Sequence, residues 1–202
     1  MTDKTGLVEF VTDLKEIFGN DLMVLSTGGT AKLLREQKLP VTEVASFTGS
    51  PEGMGGRVKT LHPKIFGGIL ARRNDPSDMA DLFDKYHSAP IDLVAVNLYS
   101  FAKTAANPDT PFDELVEQID IGGPSMIRAA AKNYRDVLVV VDPSDYPRVL
   151  SQLRREAGPD LFIRHELMRK VFLHTAEYDS CIAREMNHSG LQGDQIIRFM
   201  HL

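Results

Sequence analysis

Between residues 5 and 18 the apolar side chains fall at Leu7, Val8, Val11, Leu14 and Ile17, which is the spacing of an amphipathic helix. Leu22-Met23-Val24-Leu25 is a short apolar run that reads as a buried strand. It leads directly into Ser26-Thr27-Gly28-Gly29-Thr30 and then a helix through Lys32-Leu33-Leu34-Arg35. Residues 41–44 read as a second strand. Residues 48–68 hold six glycines and two prolines without periodicity, so an irregular segment is expected. A loop of that length is usually functional or disordered. Residues 76–86 then read as a helix with Asp75 or Ser77 as its cap. Leu93-Val94-Ala95-Val96 is a strongly apolar strand, ended by Asn97-Leu98-Tyr99.

Pro111 opens a helix to Ile119, and Asp120-Ile121-Gly122-Gly123-Pro124 is a turn that launches another over 125–134. Residues 137–141 form a buried strand. Asp142-Pro143-Ser144-Asp145 caps a helix through Arg154, and 160–186 are helical with a polar stretch after them. Strands alternating with helices predict an α/β fold, a mainly parallel sheet covered by helices on both faces. Ligands in such folds bind beyond the carboxyl ends of the strands. With 202 residues and no repeat or linker, the chain is expected to be one domain over residues 1–202.

Composition narrows the partners. A net charge of −5 gives no support to a nucleic-acid polymer or an anionic membrane, so any anion site must be a local basic cluster. Cys181 is the single cysteine, which excludes an internal disulfide and a thiolate metal cage. A reducing cytosol is the natural compartment, and the polar start Met1-Thr2-Asp3-Lys4-Thr5 is no signal peptide. No apolar run is long enough to span a membrane. The six histidines show no metal-ligand spacing with Cys181 or the carboxylates, so no metal site is expected.

Four elements carry candidate chemistry. In Ser26-Thr27-Gly28-Gly29-Thr30 a strand ends, two glycines turn the backbone and a helix begins. Free N–H groups and three hydroxyls then face one point, which suits a phosphate monoester. The plain alternative is a strand-to-helix turn with a Thr cap. Arg57, Lys59, His62 and Lys64 cluster on the glycine-rich loop, for anion binding or acid–base work, or simply as a solvated surface. Asp120 precedes Gly122 and Gly123 at a helix entrance. Ser125, Arg128 and Lys132 share one face of that helix, away from Ile127, Ala130 and Ala131. Here the alternative is an Asp cap with surface cations. Asn97 and Tyr99 point to the same side of a strand end, toward a ligand or as a cap on the core.

Taken together these elements resemble the IMP cyclohydrolase domain of the bifunctional AICAR transformylase/IMP cyclohydrolase family. The matching stretches are Asp3-Lys4-Thr5-Gly6, residues 26–30, Thr48-Gly49 with Pro51-Glu52, residues 56–64, Gly67-Gly68-Ile69-Leu70, Asn97-Leu98-Tyr99, residues 119–133 and Val141-Asp142-Pro143. They cover roughly residues 2–186 in the family's order. The resemblance implies a methylglyoxal-synthase-like three-layer αβα fold and a homodimer. It also implies closure of the formylated aminoimidazole carboxamide ribotide (FAICAR) to IMP and water, without a cofactor. The nucleotide site implied is Lys4, Ser26, Thr27, Gly28, Gly29, Thr30, Arg57, Thr60, Asn97, Ile121, Gly122 and Gly123. The catalytic set implied is Lys59, Tyr99, Asp120 and Lys132.

Those residue types suit the reaction. The carboxamide nitrogen attacks the formyl carbon within one molecule, so the protein must hold the reactive rotamer and move protons. Asp120, tuned by Lys132, is then the expected base. Lys59 and the Gly122 or Gly123 N–H groups are the expected oxyanion donors, and Tyr99 the proton relay. Phe66 stands where the family has His, and Ser100 where it has Pro. The family's folate-dependent stretch is not found, so a separate AICAR transformylase is expected in the pathway. The family also places an apolar strand in mid-sheet before the Asp-Lys-Thr-Gly motif, and a start several residues upstream of Met1 is expected on that ground. The rival readings are a phosphorylated-metabolite-sensing module of the same fold, as in carbamoyl phosphate synthetase, and a methylglyoxal synthase. The Lys59, Tyr99, Asp120 and Lys132 constellation argues against a sensor, which would not need it.

Overall fold

The computed structural model describes residues 1–98, 101–107 and 109–188. Tyr99, Ser100 and the segment 189–202 lie outside the described residues. Helix α1 (Leu7–Phe18) buries Leu7, Phe10, Val11 and Leu14, the i, i+3, i+4, i+7 set that a core-facing helix requires. It packs on α9 (Tyr146–Leu153), where the rings of Phe10 and Tyr146 stack with centroids 4.1 Å apart.

Strand β1 (Leu25–Ser26) pairs in parallel with β2 (Thr42–Glu43). Strand β3 (Leu93–Ala95) pairs in parallel with β4 (Leu138–Val140), with Val94 opposite Val139. All three residues of β4 are buried, as its continuous apolar run predicts. The α/β class and the parallel pairing hold, but the expected single sheet is divided among the described residues into two two-stranded ladders. With a partner on one side only, the apolar run at 22–25 pairs over just its end, and Met23 is 62% exposed.

The helices pack on those ladders. Helix α2 (Gly28–Glu36) and the short α3 (Val44–Thr48) flank β1. Helix α4 (Pro63–Leu70) lies on α8 (Gly122–Lys132), and α8 packs on both β3 and β4. Helix α10 (Leu161–His188) crosses α8 and β4. The expected cap at Asp75 is present: its Oδ1 accepts from Ser77 and Asp78 N–H and starts α5 (Pro76–Ala80), which continues as a π turn over Asp81–Lys85. Helix α7 (Phe112–Glu117) follows Pro111, whereas the five-residue α6 (Phe101–Ala105) was too short for periodicity to announce.

The irregular stretch is shorter than expected. Helix α4 already starts at Pro63, capped by His62, because Ile65, Gly68 and Ile69 bury one helical face. The α8 turn likewise becomes helical at Gly122, three residues ahead of the expected start.

Two polar ties brace the core. Buried Asn133, just past α8, donates from Nδ2 to the carbonyls of Ile69 at 2.9 Å and Ala71 at 3.1 Å, fastening the end of α4. Lys170 on α10 donates to Asp142 at 2.8 Å and Asp145 at 2.7 Å. The Lys170 ammonium, together with Ser144 N–H, holds the Asp142 carboxyl down at about 2, against 3.8 ordinarily.

Two measurements check these ties. Asn133→Ala leaves two carbonyls without their donor and should cost about 2–4 kcal/mol in urea unfolding. A loss below about 0.5 kcal/mol would show that the amide braces nothing. Because the folded-state value of Asp142 is depressed, its contribution is present above pH 3.8 and lost as pH falls toward about 2. Lys170→Met should therefore be less stable than the natural chain near neutrality, with the two stabilities converging across that acid window. A gap that stays constant with pH would refute the assignment.

Candidate active site

Three chain segments that are distant in sequence meet at one end of the ladders. The first is the start of α2. Thr27 is in extended conformation and Gly28 has φ +52°, a left-handed value that a side chain would disfavour. No side chain caps this helix, so its leading N–H groups face outward without an intrahelical acceptor. Ser26, Thr27, Gly28, Gly29 and Thr30 thus form a strand-to-helix turn whose outward N–H groups would suit a phosphate.

The second segment is the glycine-rich loop, and it sorts its four basic residues. Arg57 forms an ion pair with Glu117 at the end of α7. His62 Nδ1 accepts from Lys64 N–H and caps α4, while Lys64 Nζ donates to the Phe47 carbonyl at 3.3 Å. Lys59, half-buried, is the one of the four that turns to the α2 start. A Cβ on Gly28 would stand 3.9 Å from its Nζ, and one on Gly56 3.8 Å from it. Thr60 turns the other way. Its Oγ1 occupies the space that a Cβ on Gly122 would need.

The third segment is the entrance to α8. Asp120 Oδ1 accepts from Gly123 N–H at 2.9 Å, so one residue ahead of the cap position at Ile121 its side chain satisfies a donor of the first turn, close to the plain reading. Its Oδ2 lies where a Cβ on Gly123 would collide with it. Glycine at 122 and 123 therefore lets both Thr60 and the Asp120 carboxylate close on the helix start. Capping leaves Oδ2 available to act as a base. The same hydrogen bond commits Gly123 N–H, which narrows the expected oxyanion donors to Lys59 and Gly122 N–H.

Lys4, half-buried, joins this group. Its Nζ donates to the Met1 carbonyl at 3.1 Å, and burial, then Lys4, push the Met1 ammonium down, with Asp120 opposing and Lys59 adding to the lowering. Asn97, expected at the ligand, meets the start of the chain. Its Oδ1 accepts from Thr2 N–H at 2.7 Å and Asp3 N–H at 3.1 Å, and its Nδ2 donates to the Asp3 carbonyl at 2.5 Å. The amide is thus engaged with the backbone that precedes Lys4. Ile121 is 56% exposed at the rim. Tyr99, the expected proton relay, falls outside the described residues.

Lys132 is not brought to Asp120. It ends α8, about 15 Å along the axis from the helix start, at a rise of about 1.5 Å per residue. There it lines a cavity of about 580 Å³ with Arg72, Arg73, Asn133 and Arg135. The predicted helix face is nonetheless present, since Arg128 and Lys132 are exposed while Ile127, Ala130 and Ala131 are buried.

One participant was missed entirely. The Tyr178 hydroxyl, from α10, accepts from the backbone N–H of Asp120 at 2.8 Å. Burial pushes this phenol above its ordinary range. The signal available in the sequence was the row Lys170, His174, Tyr178, polar groups four residues apart on one face of a long helix. Among the described residues no cluster of His, Cys, Asp or Glu is arranged to hold a metal, and no helix is long and apolar enough to cross a membrane.

Known proteins show which family the chain resembles. Residues 6–125 match the MGS-like domain family, and residues 130–200 match the AICARFT/IMPCHase bienzyme family. The bifunctional purine biosynthesis protein PurH of Trichormus variabilis is 53% identical over 91% of this chain, and that of a Cyanothece species 51% identical over 93%. The chain spans 36% of the length of each of those relatives. Among solved structures, the crystal structure of ForH superposes with a TM-score of 0.81 and 34% identity, covering 94% of this chain and 95% of that one. The chain belongs to the MGS-like domain family, as a relative of PurH across nine-tenths of its own length.

Proposed function

We propose that the protein is an IMP cyclohydrolase, closing FAICAR to IMP and water in the cytoplasm. The observation that carries the reading is the meeting of an uncapped α2 start, Lys59 and the Asp120–Gly123 turn in one site. The ribose 5-phosphate takes the N–H groups at 28–30. The base of the nucleotide then extends toward Thr60 and Asp120.

Ring closure delivers two protons to the formyl oxygen, one from the attacking carboxamide nitrogen and one from the formamido nitrogen. Asp120 Oδ2 accepts the first as nitrogen bonds to the formyl carbon, and Lys59 or Gly122 N–H stabilises the oxygen as it gains charge. After the second proton is delivered the oxygen leaves as water and the ring becomes aromatic. Because both reacting groups belong to one molecule, most of the acceleration comes from holding the productive rotamer.

Lys132 enters this scheme from a second copy of the chain. One chain separates it from Asp120 by the length of α8, so a homodimer supplies it across the interface. Lys4 stands at the nucleotide edge, held there by the Asn97 clamp on Thr2 and Asp3.

The purified protein should convert FAICAR to IMP without folate, and Lys59→Ala should lower turnover about 100- to 1,000-fold while remaining folded. No IMP from the natural chain would sink the function, and near-normal turnover in the mutant would sink the role of Lys59. Mixing two variants tests the shared site. Asp120→Asn and Lys132→Ala chains, each weakly active, should recover about a quarter of natural activity when combined at equal amounts, since about half the dimers then hold one intact site of two. Activity that stays at the average of the two variants would place both residues in the same chain's site.

A further inference from the structure

Helix α10 is the element least connected with the site by sequence. It lies at the far end of the chain and contributes mostly apolar contacts from Ile163, Leu167 and Val171. Down the same side runs a polar row. Lys170 is satisfied by Asp142 and Asp145, and Tyr178, eight residues on, is 8% exposed, with its hydroxyl partly buried. A hydroxyl placed there is costly unless it is hydrogen-bonded. Its bond is to the main chain of Asp120, at 2.8 Å, 58 residues away in sequence.

The main chain of Asp120 is thereby fixed from one side and its side chain from the other. Tyr178 holds the N–H, and Gly123 N–H holds Oδ1 at 2.9 Å. An aspartate has two side-chain torsions, and with its amide and one carboxylate oxygen both anchored the direction of Oδ2 is set. Leu98 Cδ2 would lie 3.1 Å from a Cβ on Gly123, so this face of the turn is also closely packed. A base that must meet a proton in a tethered reaction depends on this kind of support, because displacements of about 1 Å can cost about 100-fold in rate.

We infer that Tyr178 is a positioning residue for the Asp120 base, holding the α8 entrance in the geometry that ring closure requires. Tyr178 touches no substrate and acts through the backbone of Asp120. The inference rests on the cyclohydrolase reading above, in which Asp120 takes the proton.

The test uses the full chain carrying Tyr178→Phe, which keeps the ring and removes the acceptor. Tyr178→Gln, whose amide oxygen can accept the same N–H, is carried beside it, and thermal melts report folding of both. FAICAR turnover is measured alone and with Asp120→Asn added, and amide hydrogen exchange is followed at Asp120. Tyr178→Phe should lower kcat about 10- to 100-fold with KM within about twofold, since positioning is lost and binding kept. Asp120 N–H should exchange faster, Tyr178→Gln should regain part of the loss, and Tyr178→Phe should cost nothing further once Asp120 is Asn. Equal fold-losses in the two backgrounds would overturn the inference and leave Tyr178 as a packing residue. So would unchanged kcat, or unchanged exchange at Asp120. Should Tyr178→Phe not fold, full turnover by Tyr178→Ala or Tyr178→Leu chains that do fold would overturn it equally. A natural chain that makes no IMP refutes the function itself, which separates that failure from this one.

Discussion

Helix α8 can approach its neighbours closely because its inward residues are small. Ala129, Ala130 and Ala131 are buried in succession, with Ile127 the only large side chain fully buried among them. That lets the helix lie on β3 and β4, receive α4 on another side and take α10 across it. Larger residues would hold these elements apart, and overpacking at such sites is itself destabilising. The candidate site depends on the same closeness. Gly122 and Gly123 continue the small-residue theme into the helix start, where Thr60 and the Asp120 carboxylate occupy the vacated space. One helix thus serves as the centre of the packing at its middle and as the floor of the site at its entrance.

Local pattern was a good guide wherever a helix buries one clean face or a strand is buried on both. Helices α1, α8 and α9 and strands β3 and β4 follow directly from apolar spacing. Pattern was weaker where extent depends on a partner. The run at 22–25 is as apolar as 93–96, yet it yields a two-residue strand, because ladder length is decided by neighbours that the run does not encode. Helix α4 was obscured by its glycines, whose low propensity is overridden by the burial of Ile65 and Ile69.

The site was legible as a set of residue types and much less so as a set of roles. Arg57, Lys59, His62 and Lys64 look alike within eight residues of sequence. Their tertiary partners then divide them into an ion pair, a cation at the α2 start, a helix cap and a carbonyl tie. Asn97 was identifiable as a strand-end amide, but not as a clamp on Thr2 and Asp3, since those contacts span some 95 positions. Lys132 shows the reverse case. Helical arithmetic alone, about 1.5 Å per residue, already forbids it from meeting Asp120 within one chain. Motif resemblance located the residue without saying whose site it enters.

Lys59 and Thr60 are adjacent in the chain, and they face opposite ends of the site, toward Gly28 and Gly122 respectively. One peptide unit, about 3.8 Å between Cα atoms, therefore ties the α2 start to the α8 entrance. The two ladders beneath share no strand pairing among the described residues, so this short strap is a gauge between two otherwise separate supports. Any shift of the loop that improves the fit at one end displaces the other, and the two halves of the site cannot be tuned independently.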